Sequence, residues 1–176
     1  MEIVNFFEKL AGRWFSQRTT HDLTGQQSQA GQSNLEVEFM PASAAAVQAL
    51  CRELAADPSH ALCGLQVNQS STIEGDPKQW VSSTLVVPLS PEAGANGRLL
   101  RKMTSPGSQP SISQYSLENE ILMIYNEDDT IRAEERWWFI TENLRMRTSL
   151  LNGQNGVRLA SFCSEIRLGG SRPASP

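Results

Sequence analysis

The sequence is short of the residues that most often carry polar chemistry. Its 176 residues include only two histidines, His21 and His60, and three cysteines, Cys51, Cys63 and Cys163. The cysteines are odd in number and form no C-x-x-C pair, so the expectation is reduced, buried thiols rather than a disulfide framework. The two histidines stand far apart and there is no H-E-x-x-H, so no metal site is expected. The glycine-rich signatures of dinucleotide and triphosphate binding are missing, as is the G-x-S-x-G turn of a serine hydrolase. No apolar run approaches the roughly 20 residues of a membrane-spanning helix. Positive charge is also scarce. Lysine and arginine together number 15 against 19 aspartates and glutamates, for a net charge of −4. A general nucleic-acid binder is usually basic, so that class is set aside. Residues 1–5 lack a basic stretch leading into an apolar one, so no signal peptide is expected and the location expected is cytoplasmic.

What is present suits one compact domain. Hydrophobic residues make up 39% and charged residues 19% of the chain, within the range of an ordinary globular fold. A single domain over 1–168 is expected, with a polar, breaker-rich tail over 169–176. Ile3, Phe6, Phe7 and Leu10 recur at helical spacing before Gly12, which predicts a short amphipathic helix lying over the core. A second helix is expected over about 43–56, with Ser43 as N-cap and Asp57-Pro58 as its end. The rest reads as strands between turn signals. They are placed at 13–21, 33–40, 61–69, 79–87, 98–103, 112–116, 121–125, 131–140, 143–151 and 157–168. A mainly β, antiparallel sheet of ten short strands removes its exposed edges by closing on itself. The expected fold is therefore a ten-stranded up-and-down β-barrel of lipocalin or fatty-acid-binding-protein type, with the N-terminal helix over one mouth. A β-sandwich is the alternative.

Only Lys9, Lys78 and Lys102 are lysines, so twelve of the basic residues are arginines. Arginine holds carboxylates with two parallel hydrogen bonds and stays charged when buried. The most informative stretch is Glu135–Ser149. On the strand at 143–151, alternation puts Asn143, Arg145, Arg147 and Ser149 on one face. Two arginines two residues apart form a carboxylate clamp if that face lines a pocket, and an ordinary solvated row if it does not. On the preceding strand Glu134, Arg136 and Trp138 alternate with Glu135, Trp137 and Phe139, so both faces mix charge with aromatic rings. Trp14, Arg18 and His21 repeat the mixture in the first strand. Aromatic walls with convergent charge fit a flat, conjugated acid.

At these residues the sequence resembles the S-type phycobiliprotein lyases and their U-type relatives. The resemblance runs collinearly from about Phe6 to Leu168. It is carried by GRWFSQRTTH at 12–21, GRLLRK at 97–102, ERWWFITENLRMRTS at 135–149 and ASFCSEIR at 160–167. It implies a barrel of the type already expected. It also implies a lyase activity on a linear tetrapyrrole bilin, phycocyanobilin or phycoerythrobilin. The bilin is held without a covalent bond, as transferred substrate rather than resident cofactor, and presented to an acceptor cysteine of an apo-phycobiliprotein α or β subunit. The thiol adds to the ethylidene group of the A ring to give a thioether. On this resemblance Glu135 and His21 are the candidate catalytic residues, with Glu135 facing the pyrrole nitrogens. Arg18, Arg145 and Arg147 are candidates to meet the propionates, and Trp14 and Trp138 to wall the cavity. A cyanobacterial cytoplasm, or a plastid stroma, is the implied location. The family pattern V-x-W-x-G-x-x-x-W-D is altered here, with Gln69 and Gly75 where tryptophans are usual. That departure raises a second reading, a bilin-binding partner subunit of a heteromeric lyase. The fold by itself allows a third, a carrier of small apolar acids. A homodimer or a heterodimer with a paralogue is compatible with the sequence, with Trp137 and Phe139 as residues of an apolar outer face.

Overall fold

The computed structural model describes residues 1–91, 96–104, 108–127, 131–153, 156 and 158–169. Ten antiparallel strands close into a barrel in the order β1-β10-β9-β8-β7-β6-β5-β4-β3-β2, each paired with its sequence neighbour and β1 with β10. The strands are β1 (Gly12–Asp22), β2 (Gln27–Pro41), β3 (Cys63–Ile73), β4 (Asp76–Pro88), β5 (Gly97–Met103), β6 (Ser111–Glu118), β7 (Ile121–Glu127), β8 (Ile131–Thr141), β9 (Leu144–Gly153) and β10 (Arg158–Leu168). All ten expected strands are present. The main difference is in β2, which begins six residues before the expected start because Gln27–Gln32 pairs with β1, and its last two residues also with β3, without an apolar alternation to announce it. Of the tail expected at 169–176, residues 170–176 lie outside the described residues.

Helix α1 (Ile3–Leu10) closes one end of the barrel. Its apolar face buries Phe6, Phe7 and Leu10 among buried inward residues of six strands, Trp14, Leu35, Leu65, Leu99, Tyr115 and Leu122 among them. The helix offers no glycine cap, and its last carbonyls are met by side chains from the barrel instead. Arg167 donates to the carbonyls of Lys9 and Ala11 at 2.8 and 2.6 Å. Trp14 donates through Nε1 to Leu10 at 2.9 Å, and Arg145 reaches the same carbonyl at 3.3 Å. Two guanidiniums at the negative end of the helix also complement its dipole.

Helix α2 (Ala45–Glu53) lies on the outside. Val47, Leu50 and Cys51 pack on Leu85, Val87 and Leu100, outward residues of β4 and β5, and Lys102 meets Glu53 at 2.6 Å. The expected N-cap at Ser43 is not used: the helix starts after Ala44 without a side-chain cap. It ends early because Ala55 takes a positive φ of 53°. A 3-10 turn at Pro58–His60 follows, capped by the Asp57 carboxylate accepting from the Ser59 amide at 2.9 Å.

Gly75 and Gly97 are among the glycines that the geometry requires. Gly75 occupies the two-residue turn between β3 and β4 with φ of +81°, a conformation that a tryptophan would adopt only under strain. Gly97 lies directly under the ring of Tyr115, whose hydroxyl donates to the Leu89 carbonyl at 2.9 Å. A Cβ at Gly97 would fall within the Tyr115 ring. Gly97→Ala is therefore expected to cost about 1–3 kcal/mol or more, read as a lower urea midpoint at unchanged slope.

Cys51, Cys63 and Cys163 are all free and buried. Cys63 lies in the core beneath α1. Burial, with the Glu8 carboxylate adding to it, pushes its thiol up to about 12. Burial also raises the thiol of Cys51.

Candidate active site

The inner face of the barrel is fixed by strand register. Directly opposed residues on antiparallel neighbours project to the same side. One inward row runs Ser33–Ser16–Glu165–Arg145–Phe139. The next, toward the open end, runs Gly31–Arg18–Cys163–Arg147–Trp137–Leu122. The third carries Thr20, Ser161, Ser149, Glu135 and Ile124. The clamp face of β9 therefore points inward, and the solvated alternative does not hold.

The two arginines have different surroundings. Arg145 is 3% exposed. It is bonded to the Glu165 carboxylate and the Leu10 carbonyl, and its guanidinium lies 4.1 Å from the Trp14 ring. It is fully engaged within the floor, so its expected role at a ligand carboxylate gives way to one of holding α1 and Glu165. Glu165, 0% exposed, also accepts from Ser16 at 3.1 Å and faces Arg147 at 3.6 Å. Burial pushes the Glu165 carboxyl up, but Arg145 and Arg147 together pull it further down, below the usual carboxylate range. Arg147 sits higher. Its Nη2 contacts Cys163 Sγ at 3.6 Å and its guanidinium is 4.9 Å from the Trp137 ring. Burial alone would weaken its hold on the proton, and Glu165, Cys163 and Glu135 more than reverse that.

Glu135 is the centre of the upper row. One oxygen accepts from Arg101 at 3.0 Å and the other from Trp137 Nε1 at 3.1 Å. Desolvation raises its pKa, and Arg101 and Arg147 outweigh that and lower it. Glu135 is thus a carboxylate at neutral pH, suited to accept hydrogen bonds or balance a cation. Among these interior groups, three guanidiniums (Arg101, Arg145, Arg147) face two carboxylates (Glu135, Glu165). One positive charge is left and Arg18, in the inward row of Arg147, adds a second, which favours an anionic ligand.

A small cavity of about 50 Å³ lies under this cluster. Its walls include Phe7, Leu35, Val67, Gln69, Trp137, Arg101, Arg145 and Arg147. Gln69 donates to Ser71 at 2.6 Å and to Ser33 at 3.2 Å, and the two serines bond each other at 2.9 Å. This wall is a closed polar knot.

Five expected positions fall elsewhere. Trp138 lies on the outer face, opposite outward Met146, and Trp137 takes the inner position, because Glu135 sets the inward phase of β8. Phe139 points inward as well, against Phe6 and Trp14, so Trp137 and Phe139 belong to no outer dimer face. Trp14 is 0% exposed and forms part of the floor rather than a cavity wall. His21 is exposed on the outer side of β1, where Nδ1 meets Ser28 Oγ at 2.7 Å; it does not converge with Glu135. Arg18 lies in the same row as Arg147, separated by Cys163, and also borders a groove of about 630 Å³ with Gln17, Gly31, Glu74 and Phe162. The sequence reading missed Arg101, Glu165 and Trp137 as site residues. Arg101 is signalled by GRLLRK, where its side chain falls on the same face as Leu99. Glu165 carries no such signal, because in β10 the apolar Phe162, Ile166 and Leu168 face outward and alternation alone would put the carboxylate on the wrong side.

The described residues contain no helix long and apolar enough to cross a membrane and no cluster of three or more potential metal ligands. The family model for CpeS-like proteins matches residues 2–168. The chain is 42% identical to a chromophore lyase CpcS/CpeS of Thermosynechococcus vestitus, over 99% of this chain and 97% of that one. It is 37% identical to chromophore lyase CpcS/CpeS 1 of Trichodesmium erythraeum, over 95% and 98%. Among solved structures it matches the S-type phycobiliprotein lyase CpeS of Guillardia theta with a TM-score of 0.84 and 26% identity, covering 97% of this chain and 95% of that one.

Proposed function

The chain belongs to the CpeS-like family, and from that membership and the interior site we infer that it is a phycobiliprotein chromophore lyase. It binds a linear tetrapyrrole and promotes its thioether attachment to a cysteine of an apo-phycobiliprotein subunit. The observation that supports the reading at residue level is the inward cluster of Glu135, Arg101, Trp137 and Arg147. Arg147, Arg101 and Arg18 meet the two propionates. Arg18 has neither a hydrogen bond nor an ion pair with the described residues, so its guanidinium is available. The Glu135 carboxylate accepts from the pyrrole N–H groups and balances their positive charge when the bilin is protonated. Trp137 lies beside both.

Chemically, the acceptor thiol supplies the sulfur and the proton. Sulfur bonds to the exocyclic ethylidene carbon, and the proton ends on the tetrapyrrole, so nothing is oxidised or released. The lyase contributes position and electrostatics rather than a nucleophile. Phycocyanobilin and phycoerythrobilin are both candidate substrates, and a cytoplasmic or stromal location follows from the reading.

The test is an absorbance titration of the purified protein with each bilin, followed by addition of an apo-phycobiliprotein subunit and a denaturing gel viewed by zinc-enhanced bilin fluorescence. A red-shifted spectrum and a fluorescent acceptor band are expected. A shift without covalent transfer would instead favour a partner subunit that needs a paralogue. Displacement of a fluorescent fatty-acid probe, with no bilin shift, would favour the carrier.

A further inference from the structure

The cavity under Arg147 measures about 50 Å³, whereas sites for drug-sized molecules run to about 300–1,000 Å³. A tetrapyrrole engaged by Arg147, Arg101 and Glu135 must therefore extend from them toward the open end. The wall it meets there can be read from register. Trp80 is directly opposite Ser71 in the β3–β4 pair. Ser71 is an inward, buried residue bonded to Ser33 and Gln69, so the Trp80 side chain projects to the inner side. In the closed strand order β4 lies five places from β9, across the barrel from Arg147. Trp80 is nevertheless 47% exposed. An indole on the inner side of a barrel, facing no apolar packing and opposite the arginine wall, is an aromatic surface with room for another flat ring. Lys78, two residues away on the same face, places its Nζ 3.7 Å from the Trp80 ring centroid.

We propose that Trp80 is the stacking wall for the tetrapyrrole at the open end, and that Lys78 covers its ring until the ligand arrives. This rests on the lyase reading above. A pyrrole ring of the ligand takes the place of the ammonium on the indole face, and the displaced Lys78 becomes a cationic partner for a carboxylate of the same molecule. Both contacts are made by the non-covalently held bilin, before any bond to the acceptor forms. Trp80 touches the substrate without taking part in the bond change.

The experiment uses the full chain titrated with phycocyanobilin, comparing the parent with Trp80→Ala and Trp80→Phe. Trp80→Ala is expected to weaken binding roughly tenfold and Trp80→Phe to keep it within about threefold of the parent. Thermal midpoints should be unchanged, because Trp80 is half exposed. Bilin-induced quenching of tryptophan emission should be smaller in Trp80→Phe than in the parent. Unchanged affinity in Trp80→Ala, or undiminished quenching in Trp80→Phe, would overturn the assignment. Equal weakening of Trp80→Ala and Trp80→Phe would overturn the stacking argument as well. If the parent itself gives no spectral change with this bilin or with phycoerythrobilin, it is the lyase reading that falls, and Trp80 with it.

Discussion

Glu165→Ala is expected to destabilise the protein by about 3–5 kcal/mol, the usual cost of removing one partner from a buried ion pair. The carboxylate is fully buried and holds Ser16, Arg145 and Arg147 together. Without it, the Arg145 guanidinium is left in the floor with only the Leu10 carbonyl and the ring of Trp14 as close partners. Urea unfolding reads the loss directly. The pH dependence gives an independent check. The folded-state pKa of Glu165 lies below its ordinary value of 4.5. A depressed folded pKa contributes stability that is whole above the unfolded value and is lost as pH falls through the folded one. The parent should thus lose this part of its stability below about pH 4.5, and Glu165→Ala should show a shallower acid limb. An identical acid limb in the two proteins would show that the pair does not control acid unfolding.

The second large effect is expected at Glu135. Glu135→Gln keeps the shape and removes the charge. If Glu135 balances the protonated tetrapyrrole, the variant should bind bilin with a diminished red-shifted band. Attachment to the acceptor subunit should slow by about 10²-fold or more, the range typical of a lost proton-transfer or counter-charge group. Its thermal midpoint should move far less than that of Glu165→Ala, since Glu135 is partly exposed, with side-chain exposure of 22%. A wild-type spectrum and rate in Glu135→Gln would remove this carboxylate from the mechanism. Slow attachment with a normal bound spectrum would assign it to presentation of the acceptor thiol.

The fold was legible from the sequence because ten strands of alternating pattern were separated by recognisable turns, and because the spacing of Phe6, Phe7 and Leu10 permits only a one-sided helix. The direction of Arg145 and Arg147 stayed open in the sequence between an inward clamp and a solvated outer row, and strand register with β8 and β10 decides it. The phase of β8 could not be read the same way, since adjacent tryptophans make its two faces equally aromatic. Only the pairing of Glu135 with Arg101 and Trp137 decides that Trp137, not Trp138, is inside. Arg145 illustrates a different limit. Its position was evident, but its partners come from residues far away in sequence, Leu10 and Glu165, and those contacts determine that it serves the floor. His21 falls on the outer side because alternation from Trp14 inward leaves odd-numbered positions of β1 facing out. Trp80 gave no local signal, and its importance appears only once the barrel closes.

The buried thiols bear on selectivity. A protein that carries an electrophile to another protein's cysteine is exposed to reaction with its own. Only the thiolate form attacks efficiently. Burial pushes the Cys63 thiol up to about 12, so it stays protonated at neutral pH, and it lies under α1, out of reach of a ligand entering from the opposite end. Cys51 is shifted the same way and sits between α2 and the outer wall. Cys163 is the thiol on the ligand's own side, in the row between Arg18 and Arg147, and there the protection of the reactive carbon rests on burial, since Cys163 is only 2% exposed and its sulfur is covered by the Arg147 guanidinium at 3.6 Å.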